Sequence, residues 1–279
     1  MTVDVVASPA DGLVAELLVE LEQLPPARAA ALRVVQIVDN PRSSSSDVAA
    51  AAAVDPALTA RMLRMANSAY YGLSGRVASA SFAVTVIGFQ TVRSLAAMSA
   101  AGFVSDGDLP PGFWHRGAAT AAGSSLLARQ VGADVAQAFC VGILHDLGTA
   151  LLWRHDAARQ SALLERATDQ EPAHLLELQE YGATHASLCA DVLAAWHFPD
   201  ELCVAIGRHH DTPSTAATPL RRALQGGIAL AALADDAVGR RDPFTVASLE
   251  AACVRVGDLN AMVTQVKREA EELGSALLA

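Results

Sequence analysis

Five places in the chain carry residues that bind metals or move protons: His115, the adjacent pair His145-Asp146, His185, the adjacent pair His209-His210, and Asp235. Neutral imidazole nitrogens and carboxylate oxygens are both good ligands for divalent ions such as iron, manganese or zinc. The pair His145-Asp146 interrupts an almost unbroken apolar run from Val135 to Trp153. A buried, unpaired charge is costly, so groups placed this way need a metal or a hydrogen-bonding partner. One ligand-type residue per apolar helix is how a helical bundle assembles an internal metal site. Neighbouring residues on a helix diverge by about 100°, so His145 and Asp146 can meet one centre or bridge two. The chemistry open to such a centre is phosphoester hydrolysis, in which metal ions lower the pKa of bound water and hold phosphate for in-line attack. Any one of these histidines reads more simply as a core or surface residue; the joint pattern is what points to a site. His155, His174 and His197 fall outside it and read as surface or packing residues.

The elements that must position these side chains are helices. Hydrophobic residues make up 52% of the 279, much of that alanine, while aromatics are 5% and alternating β-branched runs are scarce. Helix formers dominate, and the expected class is all-α. Asp106 to Pro111 is the best boundary, dividing residues 1–108 from residues 109–279. Beyond it the pattern predicts helices near 113–131, 134–153, 156–168, 172–196 and 200–210, then 220–238, 243–255 and 258–278. His145-Asp146 and His185 are therefore expected within long helices, and His209-His210 at a helix end. The last helix is charged outside and holds Lys267, the only lysine in the chain.

In the first part, an acidic helix is expected at 13–24, a second at about Ala27–Val38, and a short Ala-rich one at 48–53 capped by Ser46 or Asp47. Asp55-Pro56 is a start signal, Asp as N-cap and Pro at the first helical position. The helix that follows buries Leu58, Met62 and Met65 on one face, places Arg61 and Arg64 on another, solvated or ion-paired face, and closes toward Gly72. Ala80–Ile87 and Gln90–Ser99, hinged at Gly88, have helix-turn-helix spacing, but Arg93 alone is a thin electrostatic footprint for DNA.

The net charge is −10 and the pI near 5.2, against a nucleic-acid or anionic-membrane partner. Residues 101–279 hold thirteen basic against twenty-two acidic residues, so the acidic character sits with the histidines. The start, Met-Thr-Val-Asp-Val-Val, lacks a leader signature, and the longest apolar runs are broken by Arg93, His145–Asp146 or Asp235–Asp236. Four well-separated cysteines without a CxxC read as free thiols, which fits a reduced cytoplasm.

The order His115, His145-Asp146, His185, His209-His210, Asp235 resembles the ligand order of the HD superfamily of metal-dependent phosphohydrolases, with Asp236 the alternative in the last place. A closer resemblance is to the HDOD subfamily of bacterial signalling domains. It is carried by Leu24-Pro25-Pro26, by Val54-Asp55-Pro56 through Asn67-Ser68-Ala69-Tyr70-Tyr71-Gly72, by Ile87-Gly88-Phe89-Gln90-Thr91-Val92-Arg93, and by Trp114-His115, Gly142–Gly148 and Arg208-His209-His210. It covers roughly residues 20–212. The resemblance implies two all-α lobes, an N-terminal helical bundle and an HD-like bundle. It implies a signalling or scaffold module acting through a protein partner, a nucleotide or a cyclic dinucleotide, without hydrolase turnover. The alternative is a metal-dependent phosphohydrolase with Asp146 catalytic; the second is a DNA-binding regulator through residues 80–99. One departure matters: the His-Asp-x-Gly-Lys of active HD enzymes reads here His145-Asp146-Leu147-Gly148-Thr149, and Lys267 is expected to be a poor substitute for the missing lysine. The Gly-Tyr-Pro motif of the cyclic-di-GMP phosphodiesterase branch is also missing after His210, where the chain reads Asp211-Thr212-Pro213.

Overall fold

The computed structural model describes residues 26–103, 109–168, 171–235 and 242–278, together with Leu13, Glu16 and Val19. Most of the helix expected at 13–24, part of the boundary at 106–111, and Asp236 lie outside the described residues. Every regular element among the described residues is helical. In the N-terminal part these are α1 (Pro26–Val38), α2 (Ser45–Ala52), α3 (Pro56–Ala66), a 3-10 turn (Ala69–Tyr71), α4 (Ala80–Ile87) and α5 (Phe89–Ala100). Then come α6 (Phe113–Val131), α7 (Val135–Leu144), α8 (Leu147–His155), α9 (Ala157–Arg166), α10 (Ala173–Tyr181) and α11 (His185–Ala195). The chain finishes with α12 (Asp200–Gly207), α13 (Pro219–Ala234), α14 (Pro243–Ala251) and α15 (Val256–Leu278).

Helix α6 is the centre of the second group, packed against α7, α13 and α15. Its long small-residue stretch, Gly117 to Ser124, is buried throughout and lets these neighbours come close. At Gly142 of α7 a Cβ would stand 2.5 Å from the Cα of Ala121, so only glycine permits that approach. The groups meet where α5 lies on α7 and where the terminal helix α15 crosses to α3 and the 3-10 turn. Arg61 adds to these contacts. It is 4% exposed, donates to the Phe103 carbonyl at 3.0 Å, and lies 5.1 Å from the Trp114 ring. The face expected to be solvated or ion-paired is thus an inner one at Arg61, while Arg64 is half-buried and donates from Nε to the Ala276 carbonyl at 3.4 Å.

The DNA-reading alternative fails on burial. Helices α4 and α5 do meet at 111° across Gly88. However, every residue from Thr91 to Ala100 is buried, and Arg93, 1% exposed, is spent on an ion pair with Asp39 and a 2.8 Å bond to the His197 carbonyl. Its guanidinium also lies over Phe198, 4.0 Å from the ring centroid. No face of α5 is left to enter a groove. Val135–His155 has the length and mean hydropathy (1.5) of a membrane span, but 78% of that window is buried inside the fold and a turn at 145–146 divides it.

Caps fix the ends. Asp55 caps α3 as expected, its Oδ1 accepting from the Ala57 and Leu58 amides at 3.0 Å each. Its second oxygen accepts from the Ser99 hydroxyl at 2.5 Å, which ties α3 to α5. Helix α2 is capped by Ser44, ahead of the expected Ser46 or Asp47, in a reciprocal box with Asp47. Asp55→Ala should cost roughly 2–4 kcal/mol, from a lost N-cap plus an unpaired buried hydroxyl. Ser44→Ala, at an exposed cap, should cost about 1 kcal/mol or less. Urea denaturation of the two variants checks the ordering.

Candidate metal centre

The predicted helix 134–153 is broken at the residues that matter. Helix α7 ends at Leu144, His145 closes it, and Asp146 sits with φ −97° and ψ 6° before α8 begins. The predicted helix 172–196 is broken too. Gly182 turns left-handed at φ 75°, and Thr184 caps a new helix by accepting from the Ser187 amide. His185 is consequently the first residue of α11, not mid-helix. At Gly148 a Cβ would fall 1.9 Å from the His185 carbonyl, so the start of α8 rests directly on the start of α11. That contact brings Asp146 to His185, with Oδ1 4.0 Å from Nε2. His209 and His210 follow the end of α12 at Gly207 and turn into the same space.

The rings are held by one repeated device. Nδ1 of His145 bonds the Gly142 carbonyl at 2.8 Å, and Nδ1 of His209 bonds the Ile206 carbonyl at 2.6 Å. In both, a histidine at a helix end satisfies the carbonyl three residues back, one of the acceptors a helix terminus leaves unpaired. A carbonyl only accepts, so Nδ1 carries the hydrogen and Nε2 of the neutral ring is the bare nitrogen. His185 is fixed by Glu177, which is 1% exposed; Oε2 accepts from the His185 amide at 2.7 Å and from Nδ1 at 2.6 Å. Gln160 donates to the other oxygen of Glu177 at 3.1 Å. Anchoring one ring nitrogen to a carboxylate or carbonyl leaves the other oriented for a metal.

His185, His209 and His210 each offer a ligand atom within 4.8 Å of the others. Nε2 of His185 and Nε2 of His210 stand 2.9 Å apart, near the roughly 3 Å edge expected between adjacent nitrogens at about 2.1 Å from a six-coordinate ion. Two ring nitrogens at that distance need a proton or a cation between them. The donor set therefore fits a divalent metal. His145 packs edge-on to His209 at 5.6 Å, and its neighbour Asp146 accepts from Thr149 at 3.0 Å and lies 3.7 Å from Arg116 Nε.

The charges follow from burial and neighbours. Burial pushes the His145, His209 and His210 rings below the ordinary imidazole range, with neighbouring histidines adding to the effect at all three. His185 goes the other way: burial opposes its charge, but the Glu177 carboxylate, its hydrogen bond and Asp146 outweigh that. For Asp146, burial favours the neutral acid. His145, His185, Arg116 and the Thr149 bond outweigh it and hold the carboxyl well below the usual range.

The other expected ligands flank this cluster. His115, exposed at the start of α6, and Asp235, at the end of α13, line a cavity of about 220 Å³ with His145. Three contributors escaped the sequence reading. His174 stacks on His210 at 4.1 Å between centroids, where a surface or packing role was expected. Glu177 orients His185. Lys267, expected to be a poor substitute for the missing lysine, lines the cavity beside Arg116. A Gly182 C-cap and the Thr184-x-x-Ser187 cap signalled the break before His185; nothing in the sequence signalled Glu177 or His174.

The HDOD domain family matches residues 24–212, more than half of the chain. An uncharacterized protein of Treponema pallidum (strain Nichols) is 26% identical over 206 residues, 72% of this chain but 40% of that protein, so the chain spans well under half of that relative's length. A crystal structure of a protein from Shewanella amazonensis SB2B, provisionally named a phosphohydrolase, is 27% identical with a TM-score of 0.72, over 94% of this chain and 98% of the other. One from Marinobacter aquaeolei VT8, provisionally named a signal transduction protein, is 22% identical with a TM-score of 0.72, over 95% of this chain and 66% of the other. At that identity the second likeness is one of fold.

Two outcomes test the centre. Glu177→Gln should weaken metal binding by about 10–100-fold, the usual cost of losing a carboxylate behind a histidine ligand, as read by chelator competition. The metal-free chain should lose stability on acidification. Four rings with lowered pKa, His145, His174, His209 and His210, bind protons more readily unfolded, so their stabilisation falls away as pH drops below about 6.5. His185, raised, works oppositely: its contribution is present below about 6.5 and lost as pH climbs through its folded pKa. Four against one predicts a lower Tm at pH 5.5 than at 7.5; an unchanged or higher Tm contradicts it.

Proposed function

This chain belongs to the HDOD domain family, and from that premise we propose that it is a bacterial signalling module whose HD-type centre holds a divalent metal for recognition without turnover. The observation that carries the reading is the His185, His209 and His210 cluster, with ligand atoms within 4.8 Å and two of its rings anchored through Nδ1. His145 and Asp146 adjoin it, and His115 and Asp235 complete the set from the cavity side. Iron, manganese or zinc suits these nitrogen and carboxylate donors. Such an ion polarises a bound phosphoryl oxygen and lowers the pKa of its water. The chain's own residues do the positioning: Gly142, Ile206 and Glu177 hold the rings, and Thr149 and Arg116 hold Asp146.

The case against turnover rests on Thr149. Where active HD enzymes carry a lysine, this chain places a neutral hydroxyl bonded back to Asp146. The module then works through a signalling partner or a nucleotide or cyclic-dinucleotide ligand, as a two-lobed unit divided near residue 108, in the cytoplasm. The Shewanella relative's name is in keeping with an HD-type site, and the Marinobacter protein's with a signalling setting. The second reading, a metal-dependent phosphohydrolase, is favoured by one observation: Arg116 and Lys267 stand at the cavity beside His145.

Elemental analysis and a hydrolysis screen separate the readings. Protein reconstituted with iron, manganese or zinc should bind stoichiometric metal. The His145→Ala, Asp146→Ala double variant should lose it. Neither should hydrolyse bis-p-nitrophenyl phosphate or nucleotide phosphodiesters. Turnover that disappears in the double variant would establish the second reading. No metal after reconstitution would remove both.

A further inference from the structure

The cavity beside His145 is lined by His115, Arg116, Thr120, His145, Asp235 and Lys267, with alanines and Ile228 filling its walls. It is formed by helices far apart in sequence: the start of α6, the end of α13 and the middle of α15. Two permanent cations from helices distant in sequence, Arg116 on α6 and Lys267 on α15, therefore converge on one small opening, in a protein of net charge −10. Lys267 is the sole lysine among twenty basic residues, and it stands here.

Arg116 is held at two points that leave donors to spare. One terminal nitrogen donates to the Pro111 carbonyl at 2.6 Å, and Nε faces Asp146 at 3.7 Å, an ion pair too long for a hydrogen bond. A guanidinium has five N–H donors in a planar fork that matches phosphate oxygens. An ammonium supplies a compact charge with three rotatable donors. Thr120 and the exposed His115 line the same wall.

Size narrows the ligand. About 220 Å³ is below the roughly 300–1,000 Å³ of cavities that enclose a whole small molecule. A cyclic dinucleotide does not fit inside, whereas a terminal phosphoryl group does, with its ester substituent left at the mouth. We propose that this cavity is a phosphoryl-binding site for a phosphate monoester, gripped by Arg116 and Lys267. The charge absent at Thr149 is supplied instead from α6 and α15. The assignment deepens the proposed function by naming the ligand class at that same site, but its cations belong to the protein and act on phosphate with or without a metal.

Calorimetric titration of inorganic phosphate tests it, on the metal-free and metal-reconstituted chain. Phosphate should bind both forms. Lys267→Gln should raise its Kd about tenfold or more, as loss of a charge-assisted hydrogen bond does. Lys267→Arg should restore much of the affinity. Arg268→Gln, the next residue on α15 with its side chain 68% exposed, should leave Kd unchanged. Thermal unfolding of each variant checks that the fold survives. Phosphate that fails to bind either form, binds the Lys267→Gln variant equally well, or weakens as much in Arg268→Gln overturns the assignment. Phosphate binding that depends on Lys267 in a protein that takes no metal would sink the metal-centre reading and leave this one standing. Metal uptake without Lys267-dependent phosphate binding would do the reverse.

Discussion

Imidazole rings taken out of water are the constraint on which this structure turns. A buried ring must have both nitrogens answered, by a hydrogen bond, a proton or a metal. His145 and His209 answer one nitrogen each with a carbonyl from the last turn of the helix they end. Those carbonyls are available only because α7 and α12 stop where they do. His185 answers with Glu177, which is available only because the chain turns at Gly182 and sets α10 beside α11. The helix breaks and the site are thus one feature. Gly148, pressed against the His185 carbonyl, closes the arrangement.

This explains what was legible in the sequence. Helices were readable from composition and periodicity, and starts from caps: Asp55-Pro56 opens α3 as expected. Long apolar stretches hid their own interruptions. Between Val135 and Trp153 both sides of the break are apolar, so no period changes at His145-Asp146. The Gly182 and Thr184 signals at the second break were there but were outweighed by the continuous helical pattern around them. The ordered His and Asp positions located the site, because their residue types alone announce the chemistry. Their supports did not, since Glu177 and His174 look like any surface residues of an amphipathic helix.

Arginine shows the other limit. Arg61 reads as part of a solvated or ion-paired face and Arg93 as a thin footprint for DNA, yet both are buried and paired with backbone carbonyls and aromatic rings. Arg61 seats the Trp114 that precedes His115, and Arg93 grips the turn after α11. These two arginines thus brace the elements that carry the site. Tertiary contacts between distant segments decide this, and local pattern does not record them. Lys267 escaped for the same reason: only the crossing of α15 over α6 brings it to the cavity.

The central claim is that the buried histidines are ligands, and X-ray absorption on the metal-reconstituted protein tests it most directly. The account predicts imidazole nitrogens at about 2.1 Å, with the multiple-scattering signature of at least three histidine rings, reduced by one ring in His210→Ala. A spectrum with only light oxygen neighbours, or one that His210→Ala leaves unchanged, would contradict it and make the cluster a hydrogen-bonded core.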